Sequence, residues 1–201
     1  MKGPRFSLRV LLLVVVVAAF VFAVYGRAWR RTREIDDVIQ AWIDLGADVS
    51  VRNDCAKETL PFHENGPILV LLEGPIPPEQ RGKLSALLRR TSELPHGFLS
   101  GLYISFVPIS VADAASLSEI KGLDWLTLFD AGLTDDHLAK LAAAESLESL
   151  DVGQNEIGDE GVAALHALKK LRYLSIEANP VTEFALEDLR AAIDWLEISD
   201  D

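Results

Sequence analysis

Apolar positions in the second half of the chain recur every 24 residues. Units with this period start at Leu99, Leu123, Leu147 and Leu171. Further apolar registers at the same spacing are Leu102/Leu126/Leu150/Leu174, Ile104/Leu128/Val152/Ile176 and Ile109/Leu133/Ile157/Val181. Such a period predicts a solenoid, in which each unit stacks on its neighbours because it cannot bury its apolar face alone.

Each unit opens with an L-x-x-L-x-L segment, which predicts a strand, and continues with apolar spacing that predicts a helix. Thr134 or Asp135, Asp159 and Thr182 are suitable N-caps for these helices. The fold class is therefore α/β, a short right-handed solenoid in which parallel strands alternate with helices.

The repeat domain is predicted to cover residues 68–201, with irregular units at both ends. Residues 68–98 form a diverged first unit, because their apolar offsets match the later ones but the step from Leu71 to Ile104 is longer. Residues 193–198 resemble the strand sequence at 123–128 but come two positions early. This match predicts a terminal strand at 193–198.

Residues 27–67 are predicted to form an N-terminal cap that begins with a basic stretch. An amphipathic helix follows over 34–45, then a short strand over 48–52. Residues 53–67 lack periodicity and read as a loop.

Residues 10–26 are uncharged and mostly apolar, and they follow a basic tail at 1–9. Seventeen helical residues span about 26 Å, close to the thickness of a bilayer core. We predict a single-pass signal-anchor helix, with a cleaved signal peptide as the alternative. The arginine cluster at 27–33 favours the anchor. Three basic residues and the amino terminus precede the helix and four follow it, so the sequence leaves the side of the repeat domain undetermined.

Charge divides the chain into two parts. Residues 34–201 hold 12 basic and 31 acidic residues, a net charge of −19. This balance argues against binding of nucleic acid or anionic headgroups by the body of the protein and favours basic, neutral or cation-bridged partners. The alternative is that the negative charge only keeps the surface of the protein solvated. The single cysteine, Cys55, excludes an intramolecular disulfide and is either a small core residue or a reactive thiol.

Two near-complete motifs resemble the leucine-rich repeat, L-x-x-L-x-L-x-x-N-x-L. They run from Leu147 through Asn155 to Ile157 and from Leu171 through Asn179 to Val181. The order of anchor, arginine cluster, short helix and repeats is similar to that of bacterial membrane-anchored leucine-rich-repeat proteins. In this family the asparagine typically bonds to backbone groups in the turn after the strand.

Two units depart from the motif. Val107 and Ala131 stand where the asparagine belongs. We therefore expect the N-terminal half of the repeat domain to be less ordered.

The resemblance implies that the strands line the concave face of the solenoid and the helices its convex face. Residues between the leucines of each strand are then expected to point outward on the concave face. Aromatic and acidic residues in this set would suit a protein partner with a basic or aromatic-binding segment. The predicted partner-binding residues are Tyr103, Trp125, Phe129, Asp130, Asp151, Tyr173, Glu177 and Trp195. The alternative is that these aromatics only cover neighbouring strands or pack under a loop.

No catalytic or cofactor-binding motif is apparent, so we predict a non-enzymatic protein without a cofactor. The four histidines are scattered, and the acid pairs at 135–136 and 159–160 fit helix starts better than a calcium site. The sequence predicts a membrane-anchored leucine-rich-repeat module for protein–protein interaction. A structural or accessory subunit of a membrane complex is the alternative.

Overall fold

A computed structural model of the chain describes residues 33–51 and 68–200. Within them, seven strands form one sheet in chain order. The first two strands pair antiparallel and all later pairs are parallel. The strands are β1 (Asp48–Val51), β2 (Ile68–Glu73), β3 (Leu99–Ser105), β4 (Trp125–Phe129), β5 (Ser149–Asp151), β6 (Tyr173–Ser175) and β7 (Glu197–Ser199).

One helix follows each strand from β2 to β6, and consecutive helices pack side by side. Residues 33–44, called α1, are also helical. The later helices are α2 (Arg81–Ser92), α3 (Val111–Ser118), α4 (Asp135–Leu141), α5 (Asp159–Ala164) and α6 (Glu183–Ala192). The predicted α/β solenoid with parallel strands is thereby confirmed.

The chain divides into two compact units, Met1–Asp37 and Val38–Asp201. Of the first unit, the structure describes the helical residues 33–37. The second holds the sheet and the helices that pack on it. The predicted membrane helix at 10–26 lies outside the described residues, and none of the described helices has the length and apolar character to cross a membrane.

Apolar residues of each strand lie against the helices, where the neighbouring units cover them. Leu102, Leu126, Leu150 and Leu174 pair across the sheet and are fully buried. Side chains of a strand alternate between its two faces, so the residues directly before and after each of these leucines in its strand lie on the opposite face. We call that second face, on which none of the described helices packs, the open face.

The sheet keeps the 24-residue step up to its last strand. Tyr173 pairs with Glu197 and Leu174 pairs with Ile198. The structure thus differs from the predicted terminal strand at 193–198, because α6 continues through Ala192 and Ile193 is its C-cap, with its N–H on the carbonyl of Leu189 at 3.1 Å. Ile193 is buried at the end of the helix and does not begin the strand.

Two asparagines close the turns of successive units. Asn155 Oδ1 accepts from the backbone N–H groups of Ala131 and Leu133 at 3.0 and 2.9 Å, and its Nδ2 lies within 2.9 Å of three backbone carbonyl oxygens. Asn179 Oδ1 accepts from Ile157 N–H at 3.0 Å, and its Nδ2 donates to nearby carbonyl groups in the same way. Asn155 is 7% exposed, whereas Asn179 is half-buried.

The earlier units, which lack this asparagine, close their turns differently. Ile109 N–H donates to the carbonyl of Ala131 at 3.0 Å, and His137 Nε2 lies 3.0 Å from the carbonyl of Ile109. Val107 and Ala131 are fully buried. The strands there, β3 and β4, are also longer than β5 and β6. Apolar packing and a histidine therefore replace the asparagine; the lower order expected for this half stays a prediction.

We predict that Asn155→Ala lowers the free energy of unfolding by about 2–4 kcal/mol, because it leaves several buried backbone groups without partners. Asn179→Ala should cost less, since its surroundings are wetter. Urea denaturation of both variants measures the difference, with the exposed neighbour Glu156→Ala as control. An equal or larger loss for Asn179→Ala would contradict this account of the turn.

Candidate functional site

The open face presents three rows of side chains, each at one position of successive strands. The register places Gly101, Trp125, Ser149, Tyr173 and Glu197 in one row. A second row contains Tyr103, Thr127, Asp151, Ser175 and Ser199. A third, shorter row contains Glu73, Ser105 and Phe129. Five of the eight predicted site residues therefore lie on this face of the sheet: Tyr103, Trp125, Phe129, Asp151 and Tyr173.

The other three predicted residues lie outside the strands. Asp130 follows β4 directly, and Glu177 lies two positions after β6. Trp195 precedes β7 and is 60% exposed. The sequence predicted that Trp195 would follow Tyr173 in the row, but Glu197 occupies that position. The reason is that the C-terminus of α6 shifts the residues before β7 by two.

Trp125 lies directly over a glycine of the neighbouring strand. A Cβ atom on Gly101 would be 2.8 Å from Cε3 of Trp125 and 2.5 Å from Cδ1 of Leu69. The indole also contacts the ring of Tyr103, with 6.3 Å between ring centroids. Gly101 is therefore needed for close contact between these side chains, and the result is a half-buried aromatic pair beside Leu69 and Leu71.

A second aromatic pair lies at the carboxyl ends of the strands. Phe106 and Phe129 meet edge to face, with ring centroids 5.9 Å apart. A Cβ on Gly153 would be 3.1 Å from two atoms of the Phe129 ring. Phe106 is 49% exposed and was not among the predicted site residues. It lies 24 residues before Asp130, which was predicted, so the repeat spacing could have identified it as a site residue.

Phe106 begins a series of left-handed residues at the 24-residue spacing. Phe106, Asp130, Gln154 and Ala178 have φ of 60°, 47°, 55° and 53°. The N–H groups of the first three donate to carbonyl groups of the next unit, for example Asp130 to Gly153 at 3.1 Å. A non-glycine residue in this conformation costs roughly 1–2 kcal/mol, and the turn-to-turn hydrogen bonds offset that cost. The carboxyl ends of the strands and the turn residues after them form what we call the rim of the open face. The left-handed conformation fixes the direction in which the side chains of these four residues point.

Carboxylates lie on the open face and its rim, where Asp130, Asp151 and Glu177 belong to the second half and Glu73 to the first. Asp130 is exposed, whereas Asp151 and Glu177 are half-buried. Asp151 Oδ1 accepts the N–H of Gly153 at 3.0 Å, which holds this carboxylate next to the turn. The exposed ring of Tyr173, at 40% accessibility, lies in the adjacent row. Apolar contact area and negative charge are thus close together.

The acid pairs at the helix starts have a structural role. Asp135 Oδ1 accepts the N–H of Gly158 at 2.7 Å, and Asp159 accepts the N–H and hydroxyl of Thr182, each at 2.8 Å. Each carboxylate therefore caps the helix start of the next unit. Gly158, rather than Asp159, is the N-cap residue of α5. The described residues contain no group of three or more His, Cys, Asp or Glu able to hold a metal ion.

The histidines within the described residues lie in separate environments. His137 is 7% exposed, and its Nδ1 accepts the backbone N–H of Thr134 at 3.0 Å. Its Nε2 must then carry the proton donated to the carbonyl of Ile109, so the ring is a neutral helix cap. His166 lies 3.4 Å from Asp188, and His96 is exposed. His63 and Cys55 lie outside the described residues.

Gly101→Ala should lower the free energy of unfolding by about 1–3 kcal/mol, because the new Cβ displaces Trp125 and Leu69. Gly153→Ala should cost less, since its contacts at 3.0–3.1 Å need smaller shifts. Thermal unfolding and near-UV circular dichroism measure the two effects. Gly82→Ala, which meets nothing within 4 Å, is the control and should be neutral or stabilising. A neutral Gly101→Ala variant with unchanged near-UV signal would contradict the described position of the indole.

Comparisons with known proteins agree with the repeat pattern. The family model for the Leucine Rich repeat matches residues 143–165. No curated protein matches the chain. Similar solved structures include a leucine-rich-repeat protein of Leptospira interrogans, with 22% identity, a TM-score of 0.41 and coverage of 55% of this chain and 27% of that one.

Two further structures are similar. A Bacteroides fragilis protein has 17% identity and a TM-score of 0.44, covering 57% of this chain and 36% of that one. Internalin C2 of Listeria monocytogenes has 21% identity and a TM-score of 0.42, covering 55% and 46%. This chain spans less than half the length of each of the three. Residues 143–165 thus match the leucine-rich repeat, and the same order of strand, turn and helix recurs in the neighbouring units.

Proposed function

We propose that this chain is a membrane-anchored module that binds a protein partner through the open face of its repeats. Leucine-rich-repeat folds mediate protein–protein interaction in general, which supports the class of function. One observation carries the proposal: the exposed Tyr173 and three half-buried aromatic side chains share a sheet face with carboxylates, and none of the described helices lies over that face. Interfaces draw most of their binding energy from such aromatic residues.

The two halves of the open face differ in chemistry, which defines the partner. The first half offers Leu69, Leu71, Tyr103 and Trp125, with Glu73 at the end of its strand, so its centre suits an apolar side chain. The second half offers Asp151 and the nearby Glu177, so it suits lysine or arginine. Neighbouring strands lie about 4.8 Å apart, and β3 to β6 therefore span about 14 Å. A short basic segment with one apolar anchor residue fits this distance.

A scaffolding subunit without a ligand-binding face is the second candidate function. One observation favours it: Ile43 of α1 is 47% exposed. Its neighbour Trp42, however, is buried and donates from Nε1 to Thr91 Oγ1 at 3.2 Å. Among the described residues of α1, large apolar exposure is thus limited to one aliphatic side chain, whereas the open face and its rim expose Phe106 and Tyr173. These exposures support the binding module over the scaffold.

We expect Tyr173→Ala combined with Glu177→Lys to abolish capture of the partner from detergent-solubilised membranes. The first change removes exposed contact area, and the second reverses a charge in the half that suits basic side chains. The matched control is Phe184→Ala with Glu187→Lys, which makes the same kinds of change on the exposed surface of α6. The readout is quantitative mass spectrometry of proteins captured with each full-length variant. Equal capture by both variants would refute binding at the open face, and loss with Ile43→Asp alone would favour the scaffold.

The anchor predicts that the full chain stays with membranes after an alkaline carbonate wash, because the apolar helix predicted at 10–26 holds it in the bilayer. Deletion of residues 1–26 should release it. Immunoblots of the membrane and supernatant fractions measure this, and added protease determines which side the repeats face. Release of the intact chain by carbonate would contradict the anchor but leave the open face untouched.

A further inference from the structure

The helix α2 carries a cationic surface on an otherwise acidic repeat domain. Arg81, Lys83, Arg89 and Arg90 are all exposed, and the helix holds no acidic residue. The described residues after it, 93–200, hold six basic and 20 acidic residues, a net charge of −14. The positive charge is therefore concentrated in one helix of the first unit.

None of these four cations takes part in an ion pair with another described residue. The acidic surface of the same domain thus does not neutralise them. Leu84, Leu87 and Leu88 bury the opposite side of α2 against the core, which fixes the cationic side outward. A fixed cationic surface that forms no ion pair within the described part of the chain is available to an external anion.

The arrangement of the cations indicates what kind of anion fits. At 100° per residue, Gly82 and Ala86 lie between Arg89 on one side and Arg90 and Lys83 on the other. The exposed side therefore contains no aromatic or large aliphatic side chain. Protein interfaces need an apolar core from which charges are largely excluded, and α2 offers none. A layer of phosphate groups needs only accessible cations.

We propose that α2 contacts the anionic phospholipid headgroups of the membrane in which the chain is anchored. This proposal rests on the anchor of the proposed function and is independent of the open face. Trp42, which bonds to Thr91 of α2, follows the anchor segment by 16 residues, so at most about 58 Å of chain separates them. This tether holds α2 at high local concentration near the surface, where weak contacts are sufficient. The remaining acidic units are repelled by the same surface and turn away from it.

The test uses the full chain reconstituted in lipid vesicles, with a nitroxide label on Ala86→Cys in a Cys55→Ser background. Vesicles contain either phosphatidylcholine alone or phosphatidylcholine with phosphatidylglycerol as about one lipid in three. We expect the label to lose mobility only in the anionic vesicles. The effect should reverse in ~0.5 M salt, which shortens the screening length of the charges.

The charge variant is Lys83→Gln with Arg89→Gln and Arg90→Gln, which should remove the lipid-dependent change. The matched control neutralises three exposed lysines of other units, Lys121, Lys169 and Lys170, and should behave like the parent chain. A flotation assay with a chain lacking residues 1–26 gives a second readout. Each α2 cation strengthens binding to anionic vesicles roughly fivefold, so the charge variant should bind about a hundredfold more weakly than the control.

Identical label mobility in the two kinds of vesicle would overturn the proposal. The proposal would also be overturned if, at constant lipid composition, the label lost more mobility as the protein density in the vesicles increased. That result would indicate that α2 contacts a second copy of the chain. Failure of the anchor has a different signature, namely loss of the full chain from neutral vesicles after a carbonate wash. The flotation assay still decides the role of α2 in that case.

Discussion

Backbone pairing at a constant 24-residue step is the constraint on which the rest of the structure depends. A single unit has too little apolar area to stay folded, and Leu126 or Leu150 is buried because the units on both sides cover it. Asn155 secures this stacking, since its amide bonds to its own turn and to that of the preceding unit. Loss of one turn therefore affects two units, and stability spreads along the solenoid through nearest neighbours.

The same step creates the open face. Because the register never changes between β3 and β7, each strand position becomes a row, and one residue type can extend over several units. Gly101 and Gly153 interrupt the rows at the points where aromatic rings from neighbouring units lie on the backbone. The aromatic pairs are thus held by the sheet geometry itself. Rigid aromatic side chains lose little entropy when a partner binds them, which favours a recognition surface.

The sequence was sufficient to predict the solenoid and the sheet face on which five of the proposed site residues lie, because these follow from one period and from strand alternation. The position of Trp195 was not predictable in this way, since the length of α6 and the register of β7 decide it. Contacts between units are also hidden from local patterns: His137 reads as an ordinary helix residue, yet it bonds to the carbonyl of Ile109. The cationic surface of α2 was masked by the net charge of the whole domain, and the exposure of each side chain was needed to recognise it.

The two charged surfaces can act independently because of their separation. A helix is about 10–12 Å in diameter, so the outer side of α2 and the open face of the sheet lie about 15 Å or more apart. This distance is nearly twice the screening length of about 8 Å at physiological ionic strength. The cations of α2 therefore do little to reduce the negative potential at Asp151 and Glu177. A basic partner segment close to an anionic membrane would be attracted to lipid and protein alike. Contact of α2 with the headgroups leaves the acidic open face directed away from the lipid, where that competition is weakest.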